Sequence, residues 1–503
     1  MKTIKTGLSS WQNKHETFVQ KIKDLYELGN DPVLGPLDGY NDTTKGLQGL
    51  IAEAIANNVP LRALGSGWSW AKIATAEDGI MIDTKPLNMI FDISKQSVVP
   101  EYKGDINKLF LAQCGNGVWE ISKFLKTRSL SLKTSGASNG QTIAGVTATG
   151  AHGSAFDVGA VQDFVVGLHI IVSPTRHIWL ERASYPVASA SFIKNFNTEL
   201  VRDDELFNAA LVSFGSFGII HGVMIETEEI FLLETYMSRM PFDASLRQIM
   251  QTLDFSTAKL PYGNERPYHF AVSVSPYDPD NLAYVTTMYK RPYRLGYAPP
   301  ARNLNGIGPG DDAPCFIGKI TQAIPALVPG LVNKLLAGNL TPYTKQFGIL
   351  SEIFDNTTLH GKLLSAAIGI PITHVNKATD LLLGINKTNG PFCGLFAYRF
   401  IKKSKATLAF TRFDYTCVIE LDATFSDETY AFYSAVWKKL ETEGIPFTFH
   451  WGKVNELDPV RITNMYGASA DSWIAARNKV LDKDTRKVFT NAILQQWGLD
   501  KSL

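Results

Sequence analysis

The chain has little cysteine, no long apolar run and no excess of charge of either sign. Its four cysteines, Cys114, Cys315, Cys393 and Cys417, are far apart and form no CxxC pair. That spacing excludes a zinc knot and a disulfide-stapled scaffold, and it favours a reducing compartment. No uninterrupted apolar window of about 18 residues occurs, so no membrane span is expected. The opening residues, MKTIKTGLSSWQNKHETFVQ, carry lysines but no apolar core, so they do not read as a signal peptide and a cytoplasmic location is the expectation. Lys+Arg total 49 against Asp+Glu 48, a net charge of +1. With no block of like charge, nothing marks a nucleic-acid or anionic-membrane surface. Internal repeats and low-complexity segments are absent. So are a Rossmann GxGxxG with its trailing acid and the GK[ST] of a Walker loop.

What is present is an ordinary globular composition, 45% hydrophobic and 19% charged, over 503 residues, long enough for two or more domains. Between Thr44 and Asn58, apolar residues recur at helical spacing (Leu47, Leu50, Ile51, Ala54, Ile55). VPLRAL then reads as a strand, a Gly-Ser-Gly turn follows, and GIMIDTKPLNMIF reads as strand, turn and strand. This is a β-α-β opening with the turn at a strand end, where α/β folds place ligands. NKLFLAQCGNGVWEISKFLKTRSLSL repeats the theme, with a helix from about Val118. From Thr134 to Val172 small residues dominate, which lets backbone approach a partner closely. Its core, GQTIAGVTATGAHGS, is longer than any turn and unlike a simple packing helix. Phe207 to Ile230 reads as a helix, a Gly-x-x-Gly turn and an alternating strand.

After residue 231 the texture changes. The runs YHFAVSVSP, LAYVTTMY, GLFAYRFIKK, ATLAFTRF and TCVIELDATF read as strands. RPYRLGYAPPARNLNGIGPGDDAPC reads as a long loop. FIGKITQAIPALVPGLVNKLLAG reads as broken apolar helix, either lining a deep pocket or packing in the ordinary way. DETYAFYSAVWKKLETEG reads as a helix, and the tail as polar helix and loop.

Two stretches carry chemistry. GSGWS is either a plain tight turn or a cradle whose N–H groups, Ser66 to Ser69, hold a pyrophosphate. The second glycine stretch adds another backbone cradle. Two separated cradles suit a long ligand with several polar parts, such as a dinucleotide.

RALGSGWS, GQTIAGVTATGAHGSAFDVGAVQDFVVGLHIIV, LVSFGSFGII and the late FHWGK together resemble the FAD-linked oxidases of the vanillyl-alcohol-oxidase type, which carry a PCMH-type FAD-binding domain. The similarity is greatest to the branch of aldonolactone and alditol oxidases. It covers about residues 40 to 225 and, locally, Phe449 to Lys453. The resemblance implies an α+β fold, a two-lobed FAD-binding domain with an α+β substrate cap. The expected division is 1–230 for the FAD-binding domain, 231–455 for the cap and 456–503 for a segment returning to the first domain. It also implies that Arg62, Leu64, Gly65, Ser66, Gly67, Trp68 and Ser69 hold the pyrophosphate. Ser138, Gly140, Thr142, Gly145, Thr149, Gly150, His152, Gly153 and Ser154 would line the rest of the cofactor, together with Gly215, Gly218, Ile219, Ile220 and His450. No metal is expected.

Trp68 departs from the pattern. Many members carry a histidine there, joined covalently to the flavin 8α-methyl; tryptophan cannot form that bond, and the later glycine stretch has no cysteine to form another. The expectation is FAD held without a covalent bond, with Trp68 packed on the dimethylbenzene edge; the plain alternative is a core indole beside the site. His152 is expected to serve the cofactor structurally rather than as a base. His169, His177 and His221 lie in apolar strand-like runs and read as satisfied core or surface histidines.

Lys453, in HWGK, matches a lysine beside substrate and flavin in the alditol-oxidase branch; its plain reading is a surface lysine. Arg399 matches an arginine on a cap strand, but the companion glutamate is Ala397 here. A histidine of that branch is Glu420 in this chain, so polyol recognition is not copied. Glu420 reads either as an outward residue on an alternating strand or as an acid/base partner of Lys453. The reaction implied is oxidation of a CH–OH group in a sugar, lactone, polyol or nucleoside. Hydride passes to flavin N5, Glu420 or Lys453 takes the hydroxyl proton, and O2 is the acceptor, giving H2O2. The alternatives are a dehydrogenase with a quinone or protein acceptor, a sterol oxidase, or a non-enzymatic binding protein.

Overall fold

The structure is a computed structural model that describes residues 2–300, 319, 321–354 and 362–501. The expected long loop falls largely on 301–315, outside the described residues. Three sheets organise the rest. The first has four strands in the order Lys2–Lys5, Asp24–Gly29, Ile80–Asp83, Leu61–Leu64, the last three parallel. The helix Pro36–Asn57 supplies the crossover. It begins well before the apolar repeat, at a proline in its first turn, and ends where Asn58 turns left-handed and returns its N–H to Ala54 and Ile55.

The second sheet has six strands, in the order Glu199–Arg202, His177–Glu181, Val165–Ile171, Ile219–Glu226, Leu109–Gln113, Ile90–Asp92. The run 80–92 thus sends its two strands to different sheets. Ile219–Glu226 is buried on both faces along nearly its whole length, because the sheet lies between the helix 36–57 and the short helices of the glycine stretch.

The third sheet has eight antiparallel strands. Tyr343–Gly348 stands at one edge, followed by Phe231–Pro241, Leu282–Pro292, His269–Val274, Gly394–Lys402, Tyr415–Thr424, Leu363–Pro371 and Thr448–Phe449. Helices Val375–Asn389 and Asp427–Thr442 pack together over it, burying Tyr433 and Trp437. The tail forms helices Pro459–Tyr466, Ala468–Val480, Lys483–Val488 and Ala492–Gln496, which run back to the first two sheets. Trp473 Nε1 donates to Val212 O and Arg477 Nε to Ser216 O, fixing the Gly-x-x-Gly turn.

Two expectations need correction. ATLAFTRF is not a strand: residues 406–413 form a buried loop, because Leu408 and Phe410 sit under the site and their carbonyls accept from Trp451 Nε1 and Thr448 Oγ1. GQTIAGVTATGAHGS does contain a helix, Ile143–Thr149. Thr142 caps its start, Gly150 ends it at φ 69°, and Ile143 and Val146 bury one face. The apolar run after residue 316 is described in part; its helix Val328–Asn339 buries Val328, Val332 and Leu336 against Tyr284 and Cys393, as packing. No described helix is long and apolar enough to cross a membrane. Cys114, Cys393 and Cys417 are buried and free.

Candidate active site

A cavity of about 480 Å3 runs between the first two sheets and the third, within the range of small-molecule and cofactor sites, about 300–1,000 Å3. One end is walled by Leu64 to Ser69, directly after strand Leu61–Leu64. The middle is walled by Ser138, Thr142, Gly145, Thr149, His152, Gly215, Gly218 and Ile220. Arg399, Glu420, His450 and Lys453, all from the third sheet and its edge, close the other end.

The strand-end turn presents unpaired backbone donors to the cavity. Among the described residues the N–H groups of Ser66, Gly67, Trp68 and Ser69 meet no acceptor. Polar backbone that faces a cavity unpaired is costly unless a ligand satisfies it. Gly65 allows this arrangement: a Cβ there would collide with Thr142 Oγ1, the cap of the helix across the cavity. Gly218 has φ 111° and a Cβ on it would strike Ile171 O, so it too must be glycine.

Six of the expected cofactor residues stand behind the wall. Arg62 is buried under the turn, where its guanidinium donates to Phe214 O, Gly215 O and Asn491 Oδ1. Ser154 Oγ donates to Phe270 O and accepts from Phe400 N, stitching the glycine stretch to the third sheet. Gly150 is the helix end, Gly153 passes close to the backbone of Ser135, Ile219 points opposite to Ile220 along its strand, and Gly140 flanks Thr142 without reaching the cavity. His169, His177 and His221 form a buried hydrogen-bonded set with Tyr40, Thr43, Thr44 and Gln113, away from the cavity.

At the far end the sheet register makes a charge cluster. Ala397 pairs directly with Glu420, which places Arg399, two residues on, diagonally across the same face. Arg399 Nη2 lies 3.1 Å from Glu420 Oε2 and Lys453 Nζ lies 3.0 Å from Oε1. His152 Nε2 stands 4.0 Å from Oε1. Lys453 is set there by its backbone: His450 N donates to Ala367 O and Val454 N to Ser365 O. Burial alone would raise the Glu420 carboxyl; the Arg399 guanidinium and Lys453 ammonium overcome it and hold the group well below the ordinary carboxylate range. Burial lowers His152 to about 4, so its imidazole is neutral. Glu420 is therefore a buried anion, not an outward residue, and Lys453 is not at the surface.

Sequence reasoning missed three parts of this cavity. The first is the N-terminal segment. Trp11, His15 and Phe18 line the cavity, Lys14 N donates to Gly67 O, and Asn13 Nδ2 donates to Ser69 O. His15 stacks on Trp70 at 3.8 Å and meets Trp68 edge-on, while Lys14 Nζ lies 4.4 Å over the Trp68 ring. The second is Asp422, two residues beyond Glu420, and the third is Ser365 opposite it. The acid alternation Glu420–Asp422 in CVIELD was the one available signal.

Comparison with known proteins fits this geometry. Residues 41–179 match the family model described as FAD binding domain. An L-gulono-1,4-lactone dehydrogenase of Mycobacterium tuberculosis is 24% identical, over 88% of this chain and 92% of its own. L-gulonolactone oxidase 3 of Arabidopsis thaliana is 23% identical, over 90% and 79%. Among solved structures, cholesterol oxidase from Brevibacterium sterolicum superposes with a TM-score of 0.72 at 14% identity, covering 99% of this chain and 97% of that one.

Proposed function

Since the chain is an FAD-linked oxidoreductase of the vanillyl-alcohol-oxidase type, built on an FAD-binding domain at residues 41–179, we propose that it oxidises a CH–OH group of a small hydroxylated substrate, an aldonolactone or sugar before a polyol or nucleoside. O2 is the acceptor, giving H2O2. The reading rests on one observation: a charged, largely buried cluster closes the same cavity whose other end presents four N–H groups that are unpaired among the described residues. The FAD-binding lobe is 1–230 with 456–503, and 231–455 is the cap.

FAD, when bound, accepts the hydride equivalent from the alcohol carbon. Ser66 to Ser69 would hold the pyrophosphate through their N–H groups, and Thr142, Gly145 and Thr149 of the wall opposite would line the rest of the cofactor. Trp68 packs against it without a bond. Lys453 and Arg399 bring positive charge to the reacting end, where it stabilises negative charge that develops on substrate oxygen or cofactor. His152, neutral, fills space beside Glu420. The lactone relatives favour the substrate class, and the printed name of the mycobacterial relative favours a second reading, a dehydrogenase with another acceptor.

The test is the visible spectrum of the purified protein, then anaerobic bleaching by a panel of lactones, sugars and alcohols, then peroxide assay in air. Bleaching by a lactone with peroxide on re-aeration supports the oxidase. Bleaching without peroxide gives the dehydrogenase, and no flavin spectrum removes both.

A further inference from the structure

Resting on that oxidation chemistry, we propose that Asp422, rather than Glu420 or Lys453, is the catalytic base that takes the substrate's hydroxyl proton. Glu420 is then a positioning residue that fixes the two cations beside it.

A base needs a reachable lone pair. Those of Glu420 are shielded: one oxygen faces Arg399 at 3.1 Å and the other Lys453 at 3.0 Å, with only 6% of its side chain exposed. Protonating it would leave two partly buried cations without their counter-charge, which is costly. Lys453 donates to Glu420 as an ammonium and has no lone pair to offer.

Asp422 differs on each count. It lies on the same strand face as Glu420, two residues on, and also lines the cavity. Nearly half of its side chain, 47%, is open to the cavity. Its Oδ1 accepts from Ser365 Oγ, the residue directly opposite in the sheet, and lies 4.0 Å from Lys453 Nζ. Among the described residues nothing donates to Oδ2. The groups facing Asp422 are Lys453, Glu420, Arg399 from strand Gly394–Lys402, and Tyr433 from helix Asp427–Thr442, whose hydroxyl donates to Leu421 O. Although a face of it is open to the cavity, enclosure by the surrounding protein raises the Asp422 carboxyl; Lys453 opposes and Glu420 adds to the rise, leaving it above its ordinary range. The two carboxylates are therefore pushed apart: one stays anionic, the other can take and release a proton.

The step balances. The substrate O–H bond breaks and its proton goes to Asp422 Oδ2. The C–H hydrogen leaves with its electron pair to the flavin, and a C=O bond forms, so the substrate loses two electrons and the flavin gains them. Lys453, between the two carboxylates, orients the hydroxyl toward Oδ2.

The experiment uses FAD-loaded wild type, Asp422→Asn, Asp422→Glu and Glu420→Gln with a compound that bleaches the wild type. Asp422→Asn is expected to slow anaerobic bleaching about 100-fold or more while flavin absorbance and half-saturation stay near wild type. Asp422→Glu should recover part of the rate, and the acid limb of the pH–rate profile should vanish in Asp422→Asn. A second readout needs no turnover. A carboxyl raised in the folded state stabilises at low pH and loses that contribution as pH rises, so Asp422→Asn should raise the melting temperature relative to wild type at pH 8 more than at pH 4.5. Glu420→Gln should lower it at pH 8. An Asp422→Asn enzyme that bleaches within threefold of wild type, or a melting difference equal at both pH values, overturns the base and leaves the oxidation reading standing. A wild type bleached by no compound overturns both.

Discussion

Trp68 stands where the resemblance places a flavin-tethering histidine, and the structure gives it a setting. Its ring lies between Lys14 Nζ and His15, and its Nε1 is buried without a hydrogen-bond partner among the described residues. The wall is complete without a covalent bond, and contact area is what an indole contributes most. Acid precipitation of the yellow protein should leave all the flavin in the supernatant. Colour in the pellet would overturn this, and His15, in the same wall, is then the residue to replace. The place of Lys453 at the cavity was legible at this scale because HWGK carries a resemblance. Asp422 was not: a period-2 strand says which residues share a face, but not which face meets a cavity. Only the pairing of Ser365 with Asp422, 57 positions apart, reveals it.

At the level of elements, the approach of strand Leu61–Leu64 to the helix Ile143–Thr149 sets the width of the proposed cofactor cradle. The contact is Gly65 against Thr142, with no room for a methyl group. Gly65→Ala is expected to cost about 1–3 kcal/mol of stability through overpacking and to cut bound FAD severalfold, read from the ratio of flavin to protein absorbance. Full flavin occupancy in that variant would mean the turn does not hold the cofactor. Glycine spacing made both cradles readable in sequence. It hid the helix within the second one, because Ala144, Gly145 and Ala148 give little hydrophobic contrast while the Thr142 cap and the Gly150 stop do the local work. The N-terminal segment was unreadable for the opposite reason. Its strands Ser10–Gln12 and Val19–Lys21 are three residues each and mostly polar, and they gain their place by long-range contacts, closing over Gly67 and Ser69 and pairing Lys21 with Asp78.

For the molecule as a whole, buried histidines set the pH limits. Burial lowers His152 to about 4, His221 and His269 to about 3, and His169 and His450 well below the ordinary value. The unfolded chain takes up these protons near pH 6.5 and the folded chain does not. Stability from this source is therefore complete above about pH 6.5 and is lost as pH falls toward 4. Asp163 and Asp422, raised by burial, act the other way, and five histidines outweigh two carboxyls. The melting temperature should drop steadily from pH 7 to pH 4.5 in a single buffer series; a flat profile would refute the account. The α+β layout was legible through the family resemblance, whereas the order of the eight strands was not, because their partners lie as far as 128 positions apart, as with Ala271 and Arg399.

Asn491 accepts from Arg62 and donates to the carbonyls of Ile73 and Thr75, while Trp473 and Arg477 hold the turn that carries Gly215. The cradle formed early in the chain is thus finished by residues made near its end. On the ribosome, the first 230 residues emerge with an unclosed cofactor site. If that cradle holds FAD as proposed, tight capture waits until translation has passed Asn491, and an interrupted chain is expected to leave without colour.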